Sequence, residues 1–308
     1  MEATVYKSTG SWYVTKTANG EWWNARMKGV FKIDGITSTN PIAVGDKVVL
    51  LVDNPLEKTA SIVEILPRNN YVARKSPHNK HSHHIVAANL DQSILFATLK
   101  EPKTSNGFID RFLVACEMYH VPAIIVLNKT DIYKQKEWDK ANEWKEMYES
   151  IGYQLITVSV NEQKGLDTLI SLIENKTSLI SGHSGVGKSS FLNHLFPEIK
   201  ARVQEVSGWS GKGLHTTTFA EMFDWNKNTR LIDTPGIREM GLTHINKAEL
   251  SGYFPEMKQL INDCQFNNCM HINEPNCAVK EAVIAGKISE ERYFSYLNIL
   301  ETIDDKNW

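Results

Sequence analysis

The sequence predicts an α/β protein in three parts: an N-terminal β-barrel of the oligonucleotide-binding (OB-fold) type, a doubly wound parallel sheet, and a helical C-terminal segment built around a metal. Three observations carry this. Residues 1–68 break into short β-prone segments separated by turn signals, apolar runs alternate with helical stretches from residue 85, and three cysteines and a histidine crowd into 264–277. At 308 residues, two or three domains are expected. With 42% hydrophobic and 23% charged residues, a collagen-like or wholly disordered chain is excluded.

The barrel strands are expected at Val5–Lys7, Trp12–Lys16, Trp22–Lys28, Lys47–Val52 and Ala60–Leu66, punctuated by Thr9-Gly10, Asn19-Gly20, Asp34-Gly35 and Gly45-Asp46. Five strands of that size suit a small closed barrel. Trp12, Tyr13, Trp22, Trp23, Arg26 and Lys28 offer rings and cations for stacked bases and phosphates, although half of the rings are needed for a core. The net charge of −2 hides an asymmetry: residues 1–80 carry 11 Lys/Arg against 7 Asp/Glu, which permits a polyanionic partner without requiring one. Residues 69–84 lack apolar periodicity. They are expected to form an exposed linker whose His78, His81, His83 and His84 have no companion cysteine or carboxylate at ligand spacing.

Over 85–244 the strands Ile94–Thr98, Ala123–Leu127, Gln154–Val158, Thr177–Ser181 and Arg230–Asp233 alternate with helices Gly107–His120, Lys136–Ile151, Gly165–Glu174 and Lys188–Leu195. In such a sheet the ligand loops lie at the carboxyl ends of the strands. Gly182-His183-Ser184-Gly185-Val186-Gly187-Lys188-Ser189, followed by Ser190, fits GxxxxGK[ST] between a strand and a helix. Its glycines let backbone N–H groups face phosphate oxygens, Lys188 adds a cation at the β/γ-phosphates, and the Ser189 hydroxyl is a magnesium ligand.

Asn128-Lys129-Thr130-Asp131 follows the strand AIIVL. A carboxylate there accepts both N1–H and the exocyclic amine of guanine, a donor pair that adenine lacks. Ser159-Val160-Asn161, after QLITV, supplies backbone donors to guanine O6. Asp233-Thr234-Pro235-Gly236 matches DxxG, with Asp233 holding magnesium through water and the Gly236 amide meeting the γ-phosphate. Gly211–Thr218 reads as a switch loop in which Thr217, or second Thr218, completes the metal shell. A P-loop kinase or ATPase is the rival reading, and Asp131 separates the two.

The motifs predict a GTPase, but their order is circularly permuted. NKTD and SVN precede the phosphate loop, so DxxG leads directly into the C-terminal segment, which is therefore the expected receiver of any switch movement. Ile237 stands where many GTPases carry a water-orienting glutamine. His215 is the nearest polar candidate for that role, and slow intrinsic hydrolysis is expected.

Cys264, Cys269, His271 and Cys277 form a complete tetrahedral set for structural zinc within an expected helical domain over 245–308. Cys116 stands apart in an apolar segment. From Ser289 a helical run places Tyr293, Tyr296, Leu297 and Leu300 on one packing face. No apolar run reaches the ~20 residues of a membrane-spanning helix, and the N-terminal sequence lacks the order of a secretion signal. A cytoplasmic monomer without membrane association is expected.

With AANLDQ (87–92), NKTD, GHSGVGKSS, GLHTTT, DTPGIRE and CQFNNCMHINEPNCAV (264–279), the chain resembles the bacterial ribosome small-subunit-dependent GTPase A family over essentially its whole length. SVN departs from the commoner SA-x of that family. The resemblance implies a late maturation factor of the small (30S) ribosomal subunit that contacts 16S rRNA, hydrolyses GTP to GDP under stimulation by the subunit, and uses His215 catalytically.

Overall fold

Alternating burial along five short strands closes the N-terminal barrel. Strands β1 (Glu2–Ser8), β2 (Tyr13–Thr17), β3 (Trp22–Met27), β4 (Lys47–Asn54) and β5 (Thr59–Ile65) run in the order β1-β2-β3-β5-β4, and pairing of Ala3 with Val48 returns β4 to β1. Val5, Tyr13, Trp23, Ala25, Val48, Leu50 and Ile62 point inward and form its core. The Asn19-Gly20 turn joins β2 to β3, with Gly20 at φ +89°, a conformation that favours glycine. The computed structural model describes residues 1–28, 41–75, 83–197, 220–234, 242 and 245–303.

Of residues 69–84, expected as a tether, 71–75 and 83–84 instead belong to two paired strands, and 76–82 lie outside the described residues. Strands β6 (Tyr71–Lys75) and β7 (His83–Ala88) pair antiparallel from Tyr71↔Ala88 to Lys75↔His83. The apolar signal in each half is only a few residues long and the histidines mask it. Its Val72, Ala73, Val86 and Ala87 nevertheless bury in the main core beside Val44. The strand pair therefore packs beneath the barrel instead of trailing across the surface.

The central sheet follows the expected alternation. Parallel strands β8 (Gln92–Ala97), β9 (Ala123–Leu127), β10 (Gln154–Thr157), β11 (Thr177–Ser181) and β13 (Arg230–Asp233) lie in the order β10-β9-β8-β11-β13. Every residue of β8 is buried. Leu95 and Ala97 face the core shared with α1 (Asn106–Met118) and α2 (Gln135–Ser150). Ile94 and Phe96 face that of α3 (Leu166–Ile173) and α4 (Lys188–Leu195). Burial on both faces is what a doubly wound sheet requires.

Strand β12 (Glu221–Asp224), which the sequence reading missed, pairs antiparallel with β13 and meets β1 at Lys7↔Glu221. Polar contacts hold this joint. Lys7 pairs with Glu221 at 2.8 Å, and Asp224 accepts from Tyr6 Oη and Lys16 Nζ, each at 2.7 Å. Barrel and sheet are thereby continuous through one edge.

The C-terminal part consists of short helical turns, among them α5 (Pro255–Lys258), a cysteine-bearing loop, α6 (Ala278–Ile284) and α7 (Glu290–Glu301). Helix α7 packs on α1. Tyr296 and Leu300 are buried as expected, Tyr293 and Leu297 are half-buried, and Ile299 adds to the same face.

Arg292 is also buried in this interface, 1% exposed. Its Nη1 donates to Asp110 Oδ1 on α1 at 2.7 Å, and Nε and Nη2 donate to the Glu256 carboxylate on α5 at 2.7 and 3.2 Å. Tyr148 Oη donates to the same Asp110 oxygen at 2.9 Å. Burial pushes the Asp110 carboxyl upward, and the guanidinium pulls it back. Two carboxylates buried around one cation leave no tolerance for its loss. Arg292→Met is expected to lower stability by about 3–5 kcal/mol in urea denaturation. A loss below about 1 kcal/mol would show that the network is not an anchor.

Candidate functional site

Three loops at the carboxyl ends of β9, β11 and β10 meet at one side chain. Asn128, 2% exposed, donates from Nδ2 to the Val186 carbonyl at 2.8 Å and accepts at Oδ1 from the Val160 N–H at 3.1 Å. The expected base-reading loop, phosphate loop and SVN segment are thereby drawn together. Ser159, fully buried, donates to Asp131 Oδ1 at 2.6 Å and fixes the carboxylate beside them. Thr130 N–H bonds to the Val158 carbonyl at 3.2 Å, and Lys129 turns at φ +65° so that Nζ reaches the Glu101 carbonyl. Asn161 is exposed at the rim.

The phosphate loop joins β11 to α4. Gly187 precedes α4 at φ +101°, and a Cβ there would stand 2.1 Å from Asn128 Nδ2. Glycine is required twice over, by conformation and by the close approach of Asn128. Lys188 Nζ folds over the loop, donating to the carbonyls of Gly182 and His183, the latter at 2.9 Å. Ser189 and Ser190 are exposed in the first turn of α4. Ser184 and Gly185 are exposed at the loop crest, whereas Val186 is buried among Phe96 and Phe191.

Register places Asp233 of β13 beside Ile180 of β11, just before the loop. Burial raises the Asp233 carboxyl above its usual range, with Lys188 opposing, and burial lowers the Lys188 ammonium, with Asp233 opposing. The two groups therefore sit in one partly desolvated space. His215, Thr217, Thr218, Gly236 and Ile237 lie outside the described residues, as do His78 and His81.

Residues 99–105 carry no motif and went unnoticed in the sequence, yet Pro102 and Thr104 line this site. Pro102 packs 3.4 Å from the Cβ direction of Gly185, and Thr104 Oγ1 lies 2.7 Å from His183 Nε2. Their place after β8, at the carboxyl end of a parallel strand, was the available signal.

A second cluster occupies the C-terminal part. Ligand atoms of Cys264, Cys269, His271 and Cys277 lie within 4.8 Å of one another, and all four residues are buried. Ligands about 2.3 Å from a common centre stand roughly 3.8 Å apart in a tetrahedron, so the set fits a single cation. His271 turns at φ +57° and presents Nδ1 to the sulfurs, 3.3 Å from Cys277 and 3.6 Å from Cys264. Burial pushes the Cys269 thiol up to about 12 and the His271 imidazole down. A bound cation offsets the first effect and agrees with the second, since it takes thiolates and neutral imidazole.

The Glu274 carboxylate accepts from the N–H groups of Met270, Ile272 and Asn273. Tyr293 and Tyr296 of α7 donate to the carbonyls of His271 and Met270, at 2.6 and 2.8 Å. The loop is shaped by its own backbone and clamped by α7.

On the barrel, Tyr13 and Trp23 belong to the core, while Trp12 and Trp22 are 43% and 48% exposed. Arg26 lies 5.8 Å over the Trp12 ring and Lys16 4.8 Å over Trp22, and Lys28 is exposed at the end of β3. This face combines rings with cations.

Asn128 and Gly187 make the convergence testable. Gly187→Ala forces a methyl onto the carboxamide in a strained backbone, and nucleotide affinity is expected to fall at least about a hundredfold (~2.7 kcal/mol) in titrations with a fluorescent guanine nucleotide. Affinity within threefold of the parent would refute the close approach.

Comparison with known proteins agrees with this geometry. The RsgA N-terminal domain model matches residues 2–59 and the RsgA GTPase model residues 65–243. A Cytophaga hutchinsonii protein named small ribosomal subunit biogenesis GTPase RsgA is 49% identical over 97% of this chain and 98% of its own length. A Flavobacterium psychrophilum protein of the same name is 46% identical over 99% of this chain and 94% of its own. The crystal structure of YjeQ from Thermotoga maritima superposes with TM-score 0.76 at 30% identity, covering 97% of both chains. That of YloQ, a circularly permuted GTPase, gives 0.74 at 28% identity over 100% of this chain and 96% of the other. Motif order, loop convergence and likeness over nearly the full length lead to one conclusion: this chain belongs to the RsgA GTPase family.

Proposed function

We propose that this protein hydrolyses GTP to GDP and phosphate on the small (30S) ribosomal subunit, in late subunit maturation, and that the subunit stimulates its turnover. The observation that supports the reading is the Asn128 bridge, which joins the Asn128–Asp131 loop to the glycine-rich loop at Val186 and to the SVN segment at Val160, with Ser159 holding Asp131. The subunit itself enters through the relatives' name, small ribosomal subunit biogenesis GTPase.

In this reading Asp131 accepts from the guanine N1–H and amine, held in aim by Ser159, and the Val160 region donates to O6. Backbone N–H groups of 184–189 face the α/β-phosphates, and Lys188 leaves the carbonyls of Gly182 and His183 for the β/γ-phosphates. Ser189, Thr217 and Asp233, the last through water, would hold magnesium, which when bound neutralises charge between the β- and γ-phosphates. The Gly236 amide meets the γ-phosphate, and His215 orients the attacking water. Because Ile237 supplies no hydrogen bond to that water, turnover waits on a partner that orders the switch.

Trp12, Trp22, Lys16 and Arg26 form the surface for 16S rRNA, with bases stacking on the two indoles. Cys264, Cys269, His271 and Cys277 would hold zinc, which would add a cross-link to a loop already shaped by Glu274 and clamped by α7. A cytoplasmic monomer is the form in which the protein meets the subunit.

GTP turnover by the purified chain is expected to be slow and to rise at least about tenfold with isolated small subunits, about 1.4 kcal/mol off the barrier. His215→Ala is expected to lose that stimulation, and rapid turnover without subunits would refute the reading. Elemental analysis is expected to find one zinc per chain. Chelation should raise amide exchange in 264–277 while β8–β11 stay protected, because α7 remains anchored through Arg292; unaltered exchange in 264–277 would remove the structural role of the metal.

A further inference from the structure

Thr104 sits where the motif-free loop after β8 meets the phosphate loop. It is 1% exposed. Its N–H donates to the Thr98 carbonyl at 2.7 Å, and its Oγ1 accepts from the Thr98 N–H at 3.0 Å. The same Oγ1 stands 2.7 Å from His183 Nε2, while His183 Nδ1 faces the Ser184 carbonyl at 3.3 Å.

Valence orders these contacts. A carbonyl only accepts, so Nδ1 carries the proton in the Ser184 contact. In a neutral ring Nε2 is then an acceptor, and the single hydroxyl hydrogen of Thr104 must point at it. The chain of donors runs from Thr98 N–H to Thr104 Oγ1, from Thr104 O–H to His183 Nε2, and from His183 Nδ1–H to the Ser184 carbonyl. Phe108, in the first turn of α1, meets the imidazole edge-on at 5.3 Å. That helix is capped by Ser105, whose side chain accepts from the Phe108 N–H, so Thr104 and Phe108 approach His183 from one rigid segment.

We propose that Thr104 is a positioning residue for the phosphate loop: its hydroxyl holds His183 as the Nδ1–H tautomer and thereby sets the first half of the loop against the β/γ-phosphates of the nucleotide. The carbonyls of Gly182 and His183 that hold Lys188 Nζ belong to that half. The guanine pocket hangs from Asn128 and Ser159 and does not depend on this contact. The proposal rests on the GTPase reading above, and its test separates the two.

The tautomer is read directly by nitrogen NMR of the imidazole in the full chain without nucleotide. His183 is expected to show a protonated Nδ1 and an acceptor Nε2, and finding Nε2 protonated in the neutral ring overturns the proposal with no variant needed. Thr104→Val keeps the shape and removes the hydroxyl. It is expected to release the ring toward the Nε2–H form and to weaken a non-hydrolysable GTP analogue and GDP roughly three- to tenfold, the worth of one buried hydrogen bond. The GTP-over-ATP preference should not change. Thr104→Ser is expected to restore both the tautomer and the affinity to within about twofold. Parental affinity in Thr104→Val, or equal weakening in Thr104→Ser, overturns the proposal. Failure of the parent chain to prefer GTP over ATP would instead overturn the GTPase reading and leave the tautomer result standing.

Discussion

The site depends on the burial of one carboxamide. Asn128 lies at the end of an apolar strand with almost no solvent, where an unpaired amide costs about 1–3 kcal/mol. Both ends are satisfied by the Val186 carbonyl and the Val160 N–H, from loops 58 and 32 residues away in sequence. The penalty for leaving it unpaired thus enforces convergence of the loops. Gly187 has no side chain because Asn128 occupies that space. The close approach that makes the site also makes it intolerant.

A second buried polar group does comparable work near the start of α1. Arg292 ties the C-terminal part to α1 through Asp110 and to α5 through Glu256, with its guanidinium 4.6 Å over Phe254. Helix α1 therefore touches the phosphate loop through Phe108 and the zinc-type cluster's domain through Asp110, less than one turn apart. The sequence reading made the C-terminal segment the receiver of switch movement as a whole. An anchored α7 narrows that view: movement of the described C-terminal part against α1 would have to break a desolvated ion pair.

Legibility in the sequence followed how local each signal was. The five barrel strands, the parallel strands and the four sheet-domain helices were readable because each carries its own periodicity within a window of a few residues. Phosphate-loop and cysteine motifs were readable because backbone chemistry and metal geometry fix their spacing. The strand pair β6–β7 was not, since its apolar stretches are short and their burial comes from Val44 and the main core. Strand β12 was missed for the same reason: a four-residue strand between two others is defined by its partners β13 and β1. Arg292 carries no local signal for burial, and only Asp110, 182 positions earlier, makes it a core residue. Of the paired aromatics, Tyr13 and Trp23 went inside and Trp12 and Trp22 outside, a division that strand alternation implies but composition does not.

The permuted order also bears on how the molecule is assembled during translation. Strand β8 emerges from the ribosome first among the parallel strands, then β9 and β10 add to one side, and only later does β11 insert on the other. At about 5–20 residues per second, roughly 3–11 s separate synthesis of Asp131 from that of Lys188. For that interval the half-built sheet exposes an apolar edge at β8, and the Asn128 carboxamide waits for a carbonyl not yet made. Under the proposed function, the nucleotide site is therefore complete only after β11 and the loop that follows it have been made.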